Sequence, residues 1–164
     1  MTVSAELLQT FRFRVDLTMK NPLDGWPPSP LGSGAFSECS GLTLEADVKD
    51  ITEGGFNYGV VRRVGRVKLQ PIVLKRGMFV RDDGSPDGIL WDWLSSTVFG
   101  MTPVPRCDGR ITVLDPSGKH DRATWSFDRG LPLKVNGPTL NAKTGEVAIE
   151  ELHIAHEGLR LETS

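Results

Sequence analysis

The sequence predicts a mainly β protein, a small barrel or sandwich of two packed antiparallel sheets flanked by one α-helix. Three observations predict it. Short segments alternate apolar and polar residues with the period of a half-buried strand, turn formers separate them, and a single stretch carries helical spacing. The 18 glycines and 11 prolines among 164 residues suit short strands joined by turns better than a helix bundle. At this length one domain, residues 1–164, is expected.

Phe11, Phe13, Val15 and Leu17 alternate with Arg12, Arg14 and Asp16, giving a first strand with one apolar face. From Asn21 to Gly34 the chain carries Pro22, Pro27, Pro28 and Pro30 with Gly25, Gly32 and Gly34, so it reads as a surface loop that Trp26 pins down. Between Phe36 and Val48, the residues Leu42, Leu44, Ala46 and Val48 fall on one strand phase, with Thr43, Glu45 and Asp47 on the other. Gly54, Gly55 and Gly59 permit a turn after Glu53, and the chain returns along Val60 to Val64, which makes a long exposed hairpin. Val64 to Leu74 alternates again until Pro71, which cannot donate to a ladder and marks an edge or a bulge.

Ser85-Pro86 reads as a helix start, with Ser85 as cap and Pro86 at the first helical position. Ile89, Leu90, Trp93, Leu94 and Val98 then follow at helical spacing, and Gly100 with Pro103 ends the helix. Ile111–Leu114, the turn Asp115-Pro116-Ser117-Gly118 and Ala123–Phe127 form a hairpin with Trp125 and Phe127 on one face. Glu146 to Leu161 admits two readings. Ala148, Leu152, Ala155 and Leu159 fit a helical stripe; Val147 with Ile149 and Leu152 with Ile154 fit two strand phases that a bulge near Glu150-Glu151 would reconcile.

Composition narrows the function. Charged residues at 24% and hydrophobic ones at 38% exclude a disordered chain, and no apolar run is long enough to span a membrane. The formal charge of -2 supplies no global field for nucleic acid or anionic lipid. The first ten residues have neither a basic region nor an apolar one, so a cytoplasmic origin is expected. Cys39 and Cys107 are too few for a disulfide framework and read as small buried hydrophobes.

No motif for chemistry is complete. His153 and His156, with Glu150 and Glu157 nearby, would adjoin on a helix as metal ligands but diverge on a strand, and no third ligand stands at suitable spacing. Asp83, Ser85, Asp87 and Gly88 imitate a calcium loop whose twelfth position is Leu94 in place of a bidentate Glu. Ser117, His120 and Asp121 crowd one turn without a nucleophile elbow, and Gly32-Ser33-Gly34 is too short to cradle a phosphate. Arg62, Arg63, Arg66 and Lys68 beside Phe56 and Tyr58 form a basic strand of the kind found in nucleic-acid-binding barrels. These leave two alternatives, a nucleic-acid-binding β-barrel module and a small metal-dependent enzyme.

A wider pattern resembles a known family. Phe36-Ser37-Glu38-Cys39-Ser40-Gly41-Leu42, Glu53-Gly54-Gly55, Leu74-Lys75-Arg76-Gly77 and Leu90-Trp91-Asp92-Trp93-Leu94 stand in the order found in tail tube proteins of contractile-tailed phages and phage-tail-like injection particles. Leu140-Asn141-Ala142, Glu146-Val147-Ala148-Ile149-Glu150 and His156-Glu157-Gly158-Leu159 complete it. Arg62 to Gln70 lacks that family's usual Pro-Gly connection, and the proline-rich loop is longer than is customary there.

The resemblance implies that residues 146–161 are strand, and that the chain is an inner-tube subunit with no catalytic, cofactor or metal residue. Its implied partners are further copies of itself in stacked hexameric rings, a sheath protein, baseplate and spike proteins, and a cargo or tape-measure protein in the lumen. Neither membrane insertion nor specific nucleic acid is implied, and the particle would assemble in the cytoplasm. The expected stacking residues are Glu53, Gly54, Gly55, Asn57 and Tyr58; the expected lumen residues are Arg66, Lys68 and Gln70. Whether the subunit builds the shaft or a baseplate-proximal ring is left open.

Overall fold

The computed structural model describes residues 5–20, 26–27, 31, 36–55 and 57–163. They form β1 (Phe13–Lys20), β2 (Glu38–Ser40), β3 (Leu44–Ile51), β4 (Val61–Leu69), β5 (Ile72–Gly77), α1 (Ile89–Val98), β6 (Arg106–Leu114), β7 (Asp121–Asn136), β8 (Ile149–Ala155) and β9 (Gly158–Glu162). All pairings are antiparallel, in two layers that share β7. In one layer β1 pairs β6, β6 pairs the first half of β7, and β9 lies on the other edge of that half. In the other, the second half of β7 pairs β8, β8 pairs β5, and β5 pairs the short β2.

The corner in β7 has a local cause. Arg129 takes φ 52, its N–H donating to Asp108 Oδ1 at 3.1 Å, and Gly130 follows where a Cβ would stand 2.7 Å from Ile154 Cγ2. Pro132 then falls at a register shift, where the ladder needs no donor from it.

Inward positions of both layers make the core: Leu17, Met19, Ile72, Leu74, Cys107, Ile111, Phe127, Leu152 and Ile154, closed by Leu90 and Trp93 of α1. Phe127 lies opposite Gly109, and its ring fills the place of the missing side chain; a Cβ there would be 2.0 Å from a ring carbon. Trp93 donates from Nε1 to the Pro105 carbonyl at 2.9 Å. The helix ends in a Schellman motif, with Gly100 at φ 82 donating to Thr97 O and Met101 donating to Ser96 O.

A buried ion pair ties α1 to the sheets. Arg76 and Glu150 are both fully buried, with Arg76 Nε 2.5 Å from Glu150 Oε1. Trp91 donates to Glu150 Oε2 at 3.1 Å, Asp87 lies 3.7 Å from Arg76, and the guanidinium sits near the rings of Phe36 and Phe79. Such a pair is tolerated inside because each charge meets its opposite and further polar groups.

Several sequence expectations change. The helix begins at Ile89 with Gly88 as cap, not at Ser85: Pro86 bridges back to Val80, and Asp87 Oδ1 accepts the Ile89 N–H instead. The strand expected over Phe36–Val48 is two strands, broken by Gly41 at φ 86. Val64–Leu74 likewise divides at Gln70-Pro71 into β4 and β5. The last segment is strand without a bulge at Glu150-Glu151, because Glu150, Leu152 and Ile154 all point inward and the interruption comes at His156-Glu157. Most of the proline-rich loop, the Gly32-Ser33-Gly34 stretch and Phe56 lie outside the described residues; Leu31 is buried and donates to Leu17 O.

Candidate assembly surfaces

β3 and β4 pair with each other and with no other strand among the described residues, so they form an arm beside the sheets. Its faces are set by one irregularity. Between the pairs Ala46↔Val67 and Val48↔Val64, β3 supplies Asp47 and β4 supplies two residues, Gly65 and Arg66. This bulge explains how Val64 and Val67, three apart, share a face. With Leu44, Ala46, Val48 and Leu69 they make an apolar stripe on which Val64 is 85% and Val67 60% exposed. Gly65 is needed in the bulge because a Cβ there would stand 2.9 Å from the Asp47 carbonyl oxygen.

The opposite face of the arm carries Glu45, Asp47, Lys49, Arg63, Arg66 and Lys68, with the pair Ile51 and Val61 at its far end. Lys68 lies 2.5 Å from Asp47, whose hydrogen bond and charge hold the ammonium pKa above its ordinary value. The expected basic cluster is therefore divided: Arg62 pairs with Asp50 toward the apolar face, Lys68 is neutralised, and Arg63 and Arg66 remain on the polar face. Of the expected lumen residues, Arg66 and Lys68 share this polar face, while Gln70 lies beyond the end of β4. The expected stacking residues Glu53, Gly54, Gly55, Asn57 and Tyr58 come together at the tip of the arm, all exposed, Tyr58 completely. Gly55 takes φ 91 there, which a glycine adopts without strain.

A second surface was not legible in the sequence. The outer face of the β1–β6–β7–β9 layer carries Arg14, Asp16, Thr18 and Lys20 from β1, and Arg106, Asp108, Arg110 and Thr112 from β6. Thr124, Ser126 and Asp128 follow on β7, and Arg160 and Glu162 on β9. All of these residues are polar, with Leu114 following Thr112 on the same phase at the end of β6, and cross-strand pairing offsets most of the charge: Lys20–Asp108 at 3.2 Å, Arg110–Glu162 at 3.0 Å and Arg160–Asp128 at 2.7 Å. Ser126 also donates to Glu162, and this bond, followed by the nearby Arg110 and Arg160, holds the carboxyl below its ordinary pKa. The signal missed was the register, which stacks the polar phases of four separate segments.

The residues tested for chemistry have other partners. His153 Nε2 lies 2.5 Å from Glu151, and His156 lies between two backbone carbonyls, so the imidazoles do not converge. Among the described residues no three His, Cys, Asp or Glu side chains gather as a metal site. Ser85 donates to Asp83 within its turn. Asp115 accepts from Ser117 Oγ at 2.8 Å and from the N–H groups of Lys119 and His120, which lower its pKa to about 2, the Ser117 bond contributing most. Burial raises both thiols, that of Cys39 to about 12 with Glu38 adding to the effect, and that of Cys107 further with Asp108 adding.

The sequence matches the T4-like virus tail tube protein gp19 family over residues 9–160. The chain belongs to that family. No curated protein matches it. Its fold recurs in a chain of the PVC extracellular contractile injection system sheath–tube complex, extended state, at TM-score 0.76 and 20% identity, covering 96% of this chain and 93% of that one. It also recurs in the anti-feeding prophage baseplate at TM-score 0.74 and 23% identity, covering 99% and 97%. The tube-terminating cap of the same prophage matches at TM-score 0.78 and 18% identity, covering 100% and 96%. This tail tube chain shares with them the mostly β, one-helix architecture, and among its described residues no helix is long and apolar enough to cross a membrane.

Proposed function

We propose that the protein is a structural inner-tube subunit of a contractile injection particle, assembling with copies of itself into stacked hexameric rings around a hollow conduit. The observation that carries this reading is the unpaired arm: an apolar stripe on β3 and β4 stands exposed beside a first layer, β1–β6–β7–β9, whose outer face is dominated by polar side chains. A monomer gains nothing from such a stripe, whereas a subunit that lays it against the next copy removes it from water. The tip residues Glu53, Gly54, Gly55, Asn57 and Tyr58 are the reach of that contact toward the adjoining ring. Support for six-membered rings comes from the six-fold symmetrised baseplate that holds one structural neighbour.

The polar face of the first layer fits a conduit wall better than Arg66, Lys68 and Gln70 do alone. It is broad, hydrophilic and nearly charge-balanced, so it presents no net field and no apolar patch on which a passing protein would lodge. We therefore assign the lumen to this face and the polar side of the arm to ring contacts. The neighbours drawn from sheath–tube, baseplate and cap assemblies support a sheath outside and a baseplate below; a spike at the baseplate and a cargo or tape-measure protein within the lumen complete the proposal. No step in this role requires a catalytic group, a cofactor or specific nucleic acid. Negative-stain microscopy of the concentrated protein tests the reading. Annular particles and tubes are expected; a dispersion of single subunits at all concentrations would overturn it.

A further inference from the structure

The arm joins the sheets through two short crossings, and each has a fixed point. On the way in, Gly41 at φ 86 passes so close to the way out that a Cβ on it would lie 2.0 Å from the Pro71 carbonyl oxygen. On the way out, the Gln70 carbonyl oxygen lies 2.9 Å from Nε2 of His156, at the interruption between β8 and β9. Nδ1 of the same ring lies 3.1 Å from the Gly158 carbonyl oxygen, and the ring leans on Phe127 with centroids 5.7 Å apart.

Both atoms facing the imidazole are acceptors only. A neutral imidazole has one N–H and can serve one of them; the other nitrogen would then turn a lone pair toward a carbonyl oxygen. An imidazolium donates to both. The charged groups on the elements meeting there have partners of their own: Asp128 of β7 pairs with Arg160 of β9, and Glu157 pairs with Arg129 and Arg106. On β8, Glu151 faces His153, and at the foot of the arm Lys68 faces Asp47.

We infer that His156 is a positioning residue: in its doubly protonated form it clamps the foot of the arm to the β8–β9 corner and so fixes the angle at which the apolar stripe is presented. Deprotonation opens one side of the clamp, so that β4 frays from β3 starting at Gln70 and the loosened arm swings about Gly41. The importance of this for ring formation rests on the tube reading, but the clamp itself is measured in the unassembled subunit.

Hydrogen exchange of the β4 amides, with each rate divided by its intrinsic rate at the same pH, tests the clamp. In the unaltered protein, protection of β4 falls by about tenfold between pH 5 and pH 8, the size expected from losing one charge-assisted hydrogen bond. In His156→Ala, protection is low and independent of pH. His156→Gln, whose amide donates without titrating, is intermediate and flat. Should His156→Ala fail to fold, the unaltered protein and His156→Gln decide the matter. Flat protection in the unaltered protein, or an unchanged pH dependence in the variants, overturns the clamp. A clamp that behaves as described in a protein that never forms rings overturns the tube reading alone.

Discussion

Replacing Val64 and Val67 together by aspartate tests whether the stripe on the arm is an assembly surface. The two side chains are 85% and 60% exposed, so nearly all their apolar area is available to a partner. Fully burying a valine contributes about 1.5–3 kcal/mol, and scaling by exposure gives about 2–4 kcal/mol for the pair at each contact. Losing that weakens each contact by about 30- to 1,000-fold, before the added cost of burying a carboxylate. The subunit itself loses little, because surface substitutions lie within about 0.5 kcal/mol, a Tm change of about 1–2 °C. Val64→Thr with Val67→Thr keeps the β-branched shape and controls for strand preference. Sedimentation velocity across a concentration series reads the outcome. The aspartate pair should move the onset of assembly beyond the accessible range with Tm nearly unchanged, and the threonine pair should move it less. Unaltered assembly by the aspartate pair would refute the assignment of the stripe.

Three further predictions concern the fold that holds the arm. Gly109→Ala places a Cβ 2.0 Å from the Phe127 ring, and overpacking of about 3 kcal/mol should lower Tm by about 6–12 °C on thermal denaturation. Arg76→Met leaves Glu150 buried without its nearest cation and should cost about 3–5 kcal/mol by denaturant titration, whereas Arg76→Met combined with Glu150→Leu should recover much of that. Asp115 has a folded pKa of about 2, below its unfolded value; its contribution is therefore present above about pH 4 and is lost as pH falls through about 2. An acid titration of stability should show that loss, and Asp115→Asn should lack it.

What could be read in advance follows from what alternation encodes. Arg14 and Asp16 between Phe13, Val15 and Leu17 announce a half-buried strand, and three glycines announce the tip of the arm. Gly100 at the helix end was legible because a left-handed residue there has few substitutes. The final segment was harder because an inward position carries a charge: Glu150 breaks the apolar pattern, and its partner Arg76 lies 74 residues away. The length of β7 was hidden by Gly130 and Pro132, whose places in a strand depend on Ile154 and on a register shift. The alternation of Arg66 and Lys68 with Val67 and Leu69 was legible, but that Val64 joins the apolar face was not, because a bulge is a property of pairing: nothing within β4 alone says that Gly65 and Arg66 together oppose Asp47. The polar wall failed to appear for the same reason, since it exists only once four strands are in register.

The most direct measurement is a reconstruction by electron cryomicroscopy of the assembled protein, at a resolution that separates strands. A bore lined by Arg14, Arg110 and Arg160 is expected, with Val64 and Val67 of each arm against the next subunit. Walls built from the other layer, or arms standing free in solvent around an intact tube, would contradict it.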